Sequence, residues 1–446
     1  MGNCPIIDTT RSRSHPSCSK NQNVQNVVVI GSIRGVLNAV NSLENSKNCI
    51  CSAAVIEDYK GKTFWSYFFR AGAVKKLKML LRIAKSYRSA KAVNKKLLNK
   101  VPAVFYSPTE TISELFEFIP LSVFESADMF LLACDDMPNT CKISDYAAAI
   151  MSKGVSREKI FIAPQVMHIA ELPVFQDGEL SPLCKNISDV KPVMRYMEYH
   201  VTDFCNLKCK GCGHLANHVK TLEFAGADTF RLSLERLREK FENIEVLRIM
   251  GGEPLLCREL HEYINAAHEV FPYSQIKIVT NALLYKNITN LTVEAIKNAG
   301  AEIYVSQYPP TREIVPEFAE FCRERGIKLY VSRPVTQFFM RFVSGHDADF
   351  RQIWYTCESR YCHFLHGTNF YACPAVWTYT EPKFREIIGD KFFTESECRG
   401  YVYDLLQDID ADGWDILAKI ENPMKLCLRC GDTKTLFTWE SECSKN

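Results

Sequence analysis

The sequence lacks long apolar runs. None of its 446 residues fall in a stretch long and apolar enough to cross a bilayer. The first 23 residues are polar and lack the continuous apolar core of a secretory signal peptide. We therefore expect a cytoplasmic protein with no transmembrane segment, in which residues 1–23 form a disordered tail.

The sequence also lacks an excess of charge of either sign. Its formal net charge of +2 gives no global attraction to nucleic acid or to an anionic membrane. Residues 71–100 are a local exception, because ten Lys and Arg residues occur there without an acidic one, interleaved with leucines. This basic amphipathic helix could bind phosphates of a substrate or a membrane surface, but a solvated cationic face is the interpretation that the pattern favours. No nucleic-acid partner is expected.

A complete glycine fingerprint for dinucleotides is missing as well. A strand at residues 27–30 is followed only by Gly31 and Gly35, whereas the fingerprint requires G-x-G-x-x-G. Bound NAD is therefore not expected. Further strands are predicted at residues 53–56, 103–106, 129–133 and 160–163, with helices between them. Residues 24–190 are thus predicted to form a Rossmann-like parallel-sheet domain used for docking or for a sugar-type ligand.

From residue 191 to residue 345 the pattern becomes a regular alternation of strands and helices. Strands are predicted at residues 196–201, 246–250, 276–280, 302–306 and 328–332, and Gly300 and Gly326 end the intervening helices. The fold class is α/β, with a partial (β/α)6 TIM-like barrel in this segment, and its chemistry is expected at the C-terminal ends of the strands.

Cysteine is abundant, with 19 residues, but a disulfide framework is not expected in a reducing compartment. Eleven cysteines are scattered without shared spacing, and the other eight fall into two groups. The first group is Cys205, Cys209 and Cys212, in the loop after the first barrel strand. Three thiolates there can bind three irons of a cubane and leave the fourth iron open to chelate the amino and carboxylate groups of a methionine.

The next predicted strand ends in Gly251, Gly252, Glu253 and Pro254. Glycines let the backbone approach a ligand closely, and a carboxylate can accept hydrogen bonds from an α-ammonium group. A zinc site with His214 as fourth ligand is the alternative, but zinc sites usually pair cysteines as C-x2-C and give the Gly-Gly-Glu-Pro strand end no role.

Residues 199–212 (YHVTDFCNLKCKGC), the Gly-Gly-Glu-Pro strand end and the strand end at residues 279–281 together resemble the radical S-adenosylmethionine (radical SAM) superfamily. The resemblance implies that Cys205, Cys209 and Cys212 hold a 4Fe-4S cluster and are the catalytic centre. It also implies SAM contacts, which it assigns to Gly251, Gly252 and Glu253 for the methionyl group and to Thr280, Asn281 and Ser306 near the ribose. Ordinary capping of strand ends is the alternative role of the last three residues.

One position departs from the superfamily. An aromatic residue commonly precedes the third cysteine of the loop, and this chain has Gly211 there.

The second cysteine group begins after residue 346 and contains Cys357, Cys362, Cys373, Cys427 and Cys430. It resembles the Twitch and SPASM extensions that bind auxiliary clusters, and five cysteines suit the smaller version with one auxiliary 4Fe-4S cluster. Cys373, Cys427 and Cys430 are the expected ligands, with Cys357 or Cys362 as the fourth. A zinc knuckle is the alternative, and His363 and His366 beside the group are expected to be surface residues. Residues 346–446 are thus predicted to form a small cysteine-rich metal-binding extension.

The function expected from this resemblance is reductive cleavage of SAM to a 5'-deoxyadenosyl radical that removes hydrogen from a substrate carbon. A sugar or nucleotide-sugar, oxidised or epimerised, is the first substrate expectation, and an electron donor such as flavodoxin or ferredoxin is implied. A peptide or protein maturase is the alternative enzyme. A structural or sensory iron-sulfur or zinc protein is the alternative outside enzymes.

Overall fold

The fold is described from a computed structural model, which describes residues 25–32, 39, 49–57, 103–106, 121–133, 142–163, 175–176, 179–342, 349–389, 398, 400–407, 409–430 and 436–442. The predicted tail at residues 1–23, Gly35 and the basic segment 71–100 lie outside the described residues.

The N-terminal sheet has six described strands. They are β1 (Gln25–Ser32), β2 (Cys49–Glu57), β3 (Ala103–Tyr106), β4 (Met129–Ala133), β5 (Ile160–Ile162) and β8 (Lys185–Asn186), and a small hairpin of β6 (Phe175–Gln176) and β7 (Glu179–Leu180) stands apart. The order is β3-β2-β1-β4-β5-β8, parallel throughout except for β8. This is the strand order of doubly wound sheets, and each of the five predicted strands is present.

Two described helices accompany this sheet, α1 (Leu121–Ser126) and α2 (Lys142–Met151). The core between sheet and helix contains Val28, Ile30, Phe130 and Tyr146, all almost fully buried. All five residues of β4 are buried, as expected for an inner strand of a parallel sheet that is covered on both faces.

The second sheet has eight strands. They are β9 (Val193–Thr202), β10 (Asn243–Gly251), β11 (Gln275–Thr280), β12 (Glu302–Val305), β13 (Lys328–Val331), β15 (His363–His366), β16 (Asn369–Tyr371) and β17 (Val402–Asp404). Their order is β13-β12-β11-β10-β9-β15-β16-β17. The first six strands in this order are parallel, and β16 and β17 are antiparallel additions.

The four helices that follow β9 to β12 are α3 (Ala227–Lys240), α4 (Leu260–Val270), α5 (Asn290–Asn298) and α6 (Val315–Arg325). The buried face of α3 has helical spacing, with Phe230, Leu234 and Leu237 pointing into the core. Gly326 ends α6 in the left-handed conformation, as predicted.

The regular repeat ends at β13. The sixth parallel strand lies outside residues 191–345, the segment in which the barrel was predicted. It is β15, which comes from the cysteine-rich segment and pairs with β9. A hairpin, not a helix, connects β15 to β16. The C-terminal segment therefore extends the second sheet beyond the five predicted strands.

The remaining described elements are α7 (Phe350–Thr356), α8 (Pro374–Thr380), α9 (Pro382–Ile388), α10 (Gly413–Ile420) and the antiparallel pair of β14 (Gln337–Phe339) and β18 (Leu436–Thr438). Trp414 of α10 joins the N-terminal core, and its indole donates to the carbonyl of Val190 at 2.8 Å. Within the ranges given above, no helix is long and apolar enough to span a membrane.

Candidate functional site

The first cysteine group lies in the loop directly after β9. Cys205 and Cys209 are buried and Cys212 is partly exposed. The loop is held against the end of β10 by two backbone hydrogen bonds. Gly252 N donates to Thr202 O at 2.7 Å, and Glu253 N donates to Phe204 O at 3.0 Å. The C-terminal ends of two neighbouring parallel strands thus meet at the cysteines.

The close approach of these two strand ends explains the paired glycines. A Cβ at Gly251 would lie 2.1 Å from Thr202 O, and a Cβ at Gly252 would lie 2.1 Å from Phe204 O. Both contacts are with backbone atoms, which cannot turn aside as a side chain can. The glycines therefore allow the backbone of β10 to pack closely against the backbone at the base of the cysteine loop.

Glu253 is fully buried, with 0% of its surface exposed. Its Oε1 accepts from Leu255 N at 3.0 Å and from Thr280 Oγ1 at 2.6 Å, and its Oε2 accepts from Asn281 N at 2.8 Å. Burial raises the pKa of this carboxyl to about 7, and the three hydrogen bonds oppose that rise. Glu253 thereby joins the end of β10 to the end of β11.

Thr280 and Asn281 reach the cysteine loop through this network. The Asn281 side-chain amide donates to Asn206 Oδ1 at 2.7 Å and lies 3.7 Å from Cys205 Sγ. The Thr280 hydroxyl also accepts from Ala282 N at 2.9 Å, which is the local capping that was the alternative role of this residue. Thr280 and Asn281 therefore both contact the network, and Asn281 also contacts a cysteine.

Ser306 lies one strand further along. Its backbone N donates to Thr280 O at 3.0 Å, so it stands at the end of β12 beside the end of β11. The structure thus brings all the predicted SAM-contacting residues to the same edge of the sheet.

Tyr308 belongs to the same site, although the sequence analysis missed it. Burial raises the pKa of its hydroxyl, and the nearby thiols of Cys212, Cys209 and Cys205 raise it further. The Tyr308 hydroxyl therefore lies close enough to interact electrostatically with all three cysteines. The available signal in the sequence was its position, because Tyr308 lies two residues after Ser306, which was already predicted at a strand end of the site.

The three thiols also influence one another. Burial raises the pKa of Cys205 to about 12, and Glu253, Cys212 and Cys209 add to the rise. Burial raises the pKa of Cys209 to about 11, opposed by a hydrogen bond from Trp439. Three mutually interacting thiols in a buried loop fit the donor set of a cubane, in which each cysteine binds a different iron.

In the part of the chain that the structure describes, no group of three or more His, Cys, Asp or Glu residues is placed to hold a single metal ion. His214, the fourth ligand of the zinc alternative, has its Nε2 3.7 Å from Glu198 Oε2 and its ring against that of His200.

Four of the five cysteines in the second group line one cavity, together with Arg341, Trp354 and Met424. The four are Cys357, Cys373, Cys427 and Cys430. Burial raises the pKa of Cys373 to about 11 and that of Cys427 to about 12, and neighbouring thiols of the group contribute to both rises. Residues from the end of α7, the start of α8 and a short 3-10 helix at Lys425–Arg429 thus bring four thiols together.

Cys362, the fifth cysteine of the group, does not line this cavity. Its buried thiol is hydrogen bonded with the Glu198 carboxylate. Burial raises the pKa of Glu198, but hydrogen bonds with His214, Tyr196 and Cys362 outweigh burial and lower it to about 2. The fifth cysteine therefore contacts an ionised carboxylate on β9, and it also lies close enough to Cys373 for the two thiols to interact.

His363 was expected at the surface, and that expectation is wrong. The residue is 0% exposed, its Nδ1 lies 2.9 Å from Ala372 O, and its Nε2 lies 3.5 Å from Glu421 Oε1. His366 is partly buried, with its Nε2 3.2 Å from Asp203 Oδ2. The reason for the difference is that both histidines belong to β15, an inner strand of the sheet, and not to a loop.

Comparison with known proteins gives partial matches. No family model matches the chain. An S-adenosylmethionine-dependent nucleotide dehydratase of Fibrobacter sp. (strain UWH6) is 37% identical over 91 residues, which is 19% of this chain and 26% of that protein. A GTP 3',8-cyclase of Staphylococcus carnosus is 32% identical over 110 residues, 23% of this chain and 32% of that protein. The chain thus spans about a third or less of these relatives.

Among solved structures, BtrN in complex with AdoMet and 2-DOIA is similar at 17% identity, with a TM-score of 0.34 over 55% of this chain and 95% of that chain.

Proposed function

Because this chain is a member of the radical SAM superfamily, we propose that it is an enzyme that cleaves SAM reductively at the loop of Cys205, Cys209 and Cys212. When bound there, a 4Fe-4S cluster would supply an electron to SAM and so generate a 5'-deoxyadenosyl radical that removes hydrogen from a substrate carbon. The observation that carries the proposal is the convergence of three mutually interacting thiols, two of them buried, with the Gly252 and Glu253 strand end.

The residues around the loop have distinct proposed tasks. Gly251, Gly252 and Glu253 would contact the methionyl group of SAM, and Thr280, Asn281 and Ser306 would lie near its ribose. Glu253 would position SAM and would be neither acid nor base, since both of its oxygens already accept hydrogen bonds from the ends of β10 and β11. Asn281 would orient the loop by donating to Asn206 and Cys205.

For the second cysteine group we propose one auxiliary 4Fe-4S cluster held by Cys357, Cys373, Cys427 and Cys430. The shared cavity of these four thiols supports Cys357 as the fourth ligand. Cys362 would remain a free thiol, because its sulfur is hydrogen bonded with Glu198. Iron analysis tests this choice: Cys357→Ala should lower the iron content from about eight to about four per chain, and Cys362→Ala should leave it at about eight. The reverse result would make Cys362 the ligand.

The architecture proposed for this function keeps three units. They are a Rossmann-like domain at residues 24–190, a partial barrel at residues 191–345 and an auxiliary-cluster extension at residues 346–446. Curvature of the six parallel strands into a partial barrel is part of the proposal, and it is supported by their order from β13 to β15.

The proposed substrate is a nucleotide or nucleotide-sugar, with flavodoxin or ferredoxin as electron donor. Two of the relatives are named for reactions of nucleotides, a nucleotide dehydratase and a GTP cyclase. Tyr199 packs on α3 and α4, so its neighbours in β9 face the opposite side of the sheet. On that side the Arg248 guanidinium lies over the ring of Tyr196, 4.9 Å from its centroid, and 3.7 Å from the Glu198 carboxylate. Guanidinium and carboxylate groups suit the phosphates and hydroxyls of such a substrate.

The test is anaerobic reconstitution with iron and sulfide, followed by dithionite and SAM. We expect 5'-deoxyadenosine and methionine to form in the unchanged protein. Cys205→Ala should abolish both products. Cys322→Ala, which removes a buried thiol of α6 outside both cysteine groups, should retain them. A fully loaded protein that forms neither product would refute the proposal.

A further inference from the structure

Residues 436–442 form a cap over the cysteine loop, which we call the C-terminal cap. Strand β18 pairs with β14, and the chain then runs antiparallel to the loop. Lys210 N donates to Glu440 O at 3.0 Å, and Glu442 N donates to Lys208 O at 2.6 Å. These two bonds flank Cys209, which stands opposite Ser441 in an isolated bridge. The loop that carries the cysteines is therefore one strand of a short ladder, and the cap is the other.

The cap also delivers a side-chain donor to one of the cysteines. The indole Nε1 of Trp439 donates to Cys209 Sγ at 3.2 Å. The Trp439 backbone N donates to Thr336 O at 2.9 Å, which fixes the residue beside β14. The backbone before Trp439 is fixed by the pairing of β18 with β14, and the backbone after it is fixed by the ladder with the cysteine loop. The indole is therefore held against the sulfur of Cys209.

A second contact seats the cap at Gly211. A Cβ on this residue would lie 2.7 Å from Cζ of Phe437, so the ring of Phe437 rests directly on the glycine. The Lys210 ammonium lies 5.3 Å from the centroid of the same ring and forms an ion pair with Glu440 at 3.0 Å. The glycine that departs from the superfamily pattern is therefore the position that admits the cap.

We propose that Trp439 is a positioning residue that sets the reduction potential of the cluster at Cys205, Cys209 and Cys212. The inference rests on the proposed function, since it requires that cluster. Hydrogen bonds to the sulfurs and exclusion of solvent are two factors that set the potential of an iron-sulfur cluster. Reduction adds negative charge that the sulfurs share, and a donor N–H stabilises the more negative state more strongly. The indole therefore favours the reduced cluster and raises its potential.

The experiment compares Trp439→Phe with the unchanged protein after anaerobic reconstitution. Phenylalanine keeps an aromatic ring and removes the N–H. The reduced fraction is followed by electron paramagnetic resonance during a potentiometric titration, and the signal that changes on adding SAM identifies the relevant cluster. At a fixed potential, Trp439→Phe should lower the ratio of reduced to oxidised cluster roughly three- to tenfold, a downward shift of about 30–60 mV for one electron.

Two further variants complete the test. Thr438→Val changes an exposed neighbour in β18 and leaves the indole in place, so its ratio should stay within about twofold of the unchanged protein. Trp439→His supplies a ring N–H at the same position and should restore most of the ratio lost in Trp439→Phe. If Trp439→Phe does not hold the cluster, Trp439→His decides alone, and a ratio lowered tenfold there overturns the inference.

An unchanged ratio in a fully loaded Trp439→Phe protein would also overturn it. A different result bears on the proposed function: if the unchanged protein holds iron and sulfide but gives no SAM-responsive signal, the SAM site itself is refuted. The two failures are therefore distinguishable in the same set of measurements.

Discussion

Replacing Gly252 by alanine tests the central packing of the site. The new Cβ would lie 2.1 Å from Phe204 O, whereas ordinary contacts of this kind begin at 3.4 Å. The two backbones must therefore separate by more than 1 Å, because no flexible side chain can give way. This separation lengthens the hydrogen bonds from Gly252 N to Thr202 O and from Glu253 N to Phe204 O. Overpacking costs about 1–3 kcal/mol and two weakened hydrogen bonds about 1 kcal/mol each, so we expect a loss of about 3–5 kcal/mol.

Because Phe204 directly precedes Cys205, the same displacement should disturb the cysteine loop. The assay measures iron and sulfide content after reconstitution, SAM binding to the loaded protein, and urea unfolding of the metal-free protein. Gly252→Ala should lose about half of the iron, that of the loop, and should no longer bind SAM.

Gly300→Ala is the matched control for Gly252→Ala. Gly300 has a φ of +60° and no atom within 4 Å of its added Cβ, so alanine there costs about 1 kcal/mol of backbone strain without touching the site. Full iron content and SAM binding in Gly252→Ala would refute the argument that the close contact at Phe204 holds the loop in place.

Three other outcomes are expected. In the metal-free protein, burial on folding raises the pKa of Glu253 from an ordinary 4.5 to about 7. The free energy of unfolding should therefore be highest below pH 4.5 and fall by about 3 kcal/mol as the pH rises to 7. Urea unfolding of Glu253→Gln across this pH range should not show that fall. Gly211→Ala should dislodge Phe437, because the new Cβ would lie 2.7 Å from the ring and because the φ of +72° disfavours alanine. Hydrogen exchange at residues 436–442 should then accelerate. Unchanged protection there would contradict the seating of the cap on Gly211. Cluster assembly should release protons near neutral pH, because burial raises the pKa of Cys205 and Cys209 to about 12 and 11, and a dye-based proton count that shows none would contradict this.

Features that depend on short stretches of chain could be predicted from the sequence. Five strands of each sheet follow from runs of apolar residues, and the Gly326 helix stop follows from the conformational preference of glycine. The loop of Cys205 and the Gly252 strand end could be placed together, since C-terminal ends of adjacent parallel strands share one edge of a sheet.

Contacts between distant segments could not be predicted. Neither the position of Cys357 nor that of Cys362 in the sequence marks it as the fourth ligand, and only the fold shows that Cys357 lines the cavity while Cys362 meets Glu198. Trp439 lies 230 residues from Cys209, and no local pattern marks it as a neighbour of the loop. His363 was misjudged for a similar reason, because its short strand becomes an inner strand only through pairing with β9.

The pairing of β15 with β9, together with the C-terminal cap, sets an order for the maturation of this protein. A growing chain that has reached residue 331 has made all five strands from β9 to β13, yet β9 still has an open edge, which is a site for unwanted association. The cysteine loop gains its ladder partner only after residue 442 has been synthesised. Iron delivered before that point would therefore meet an incomplete loop, so cluster insertion should follow synthesis of the C-terminal cap.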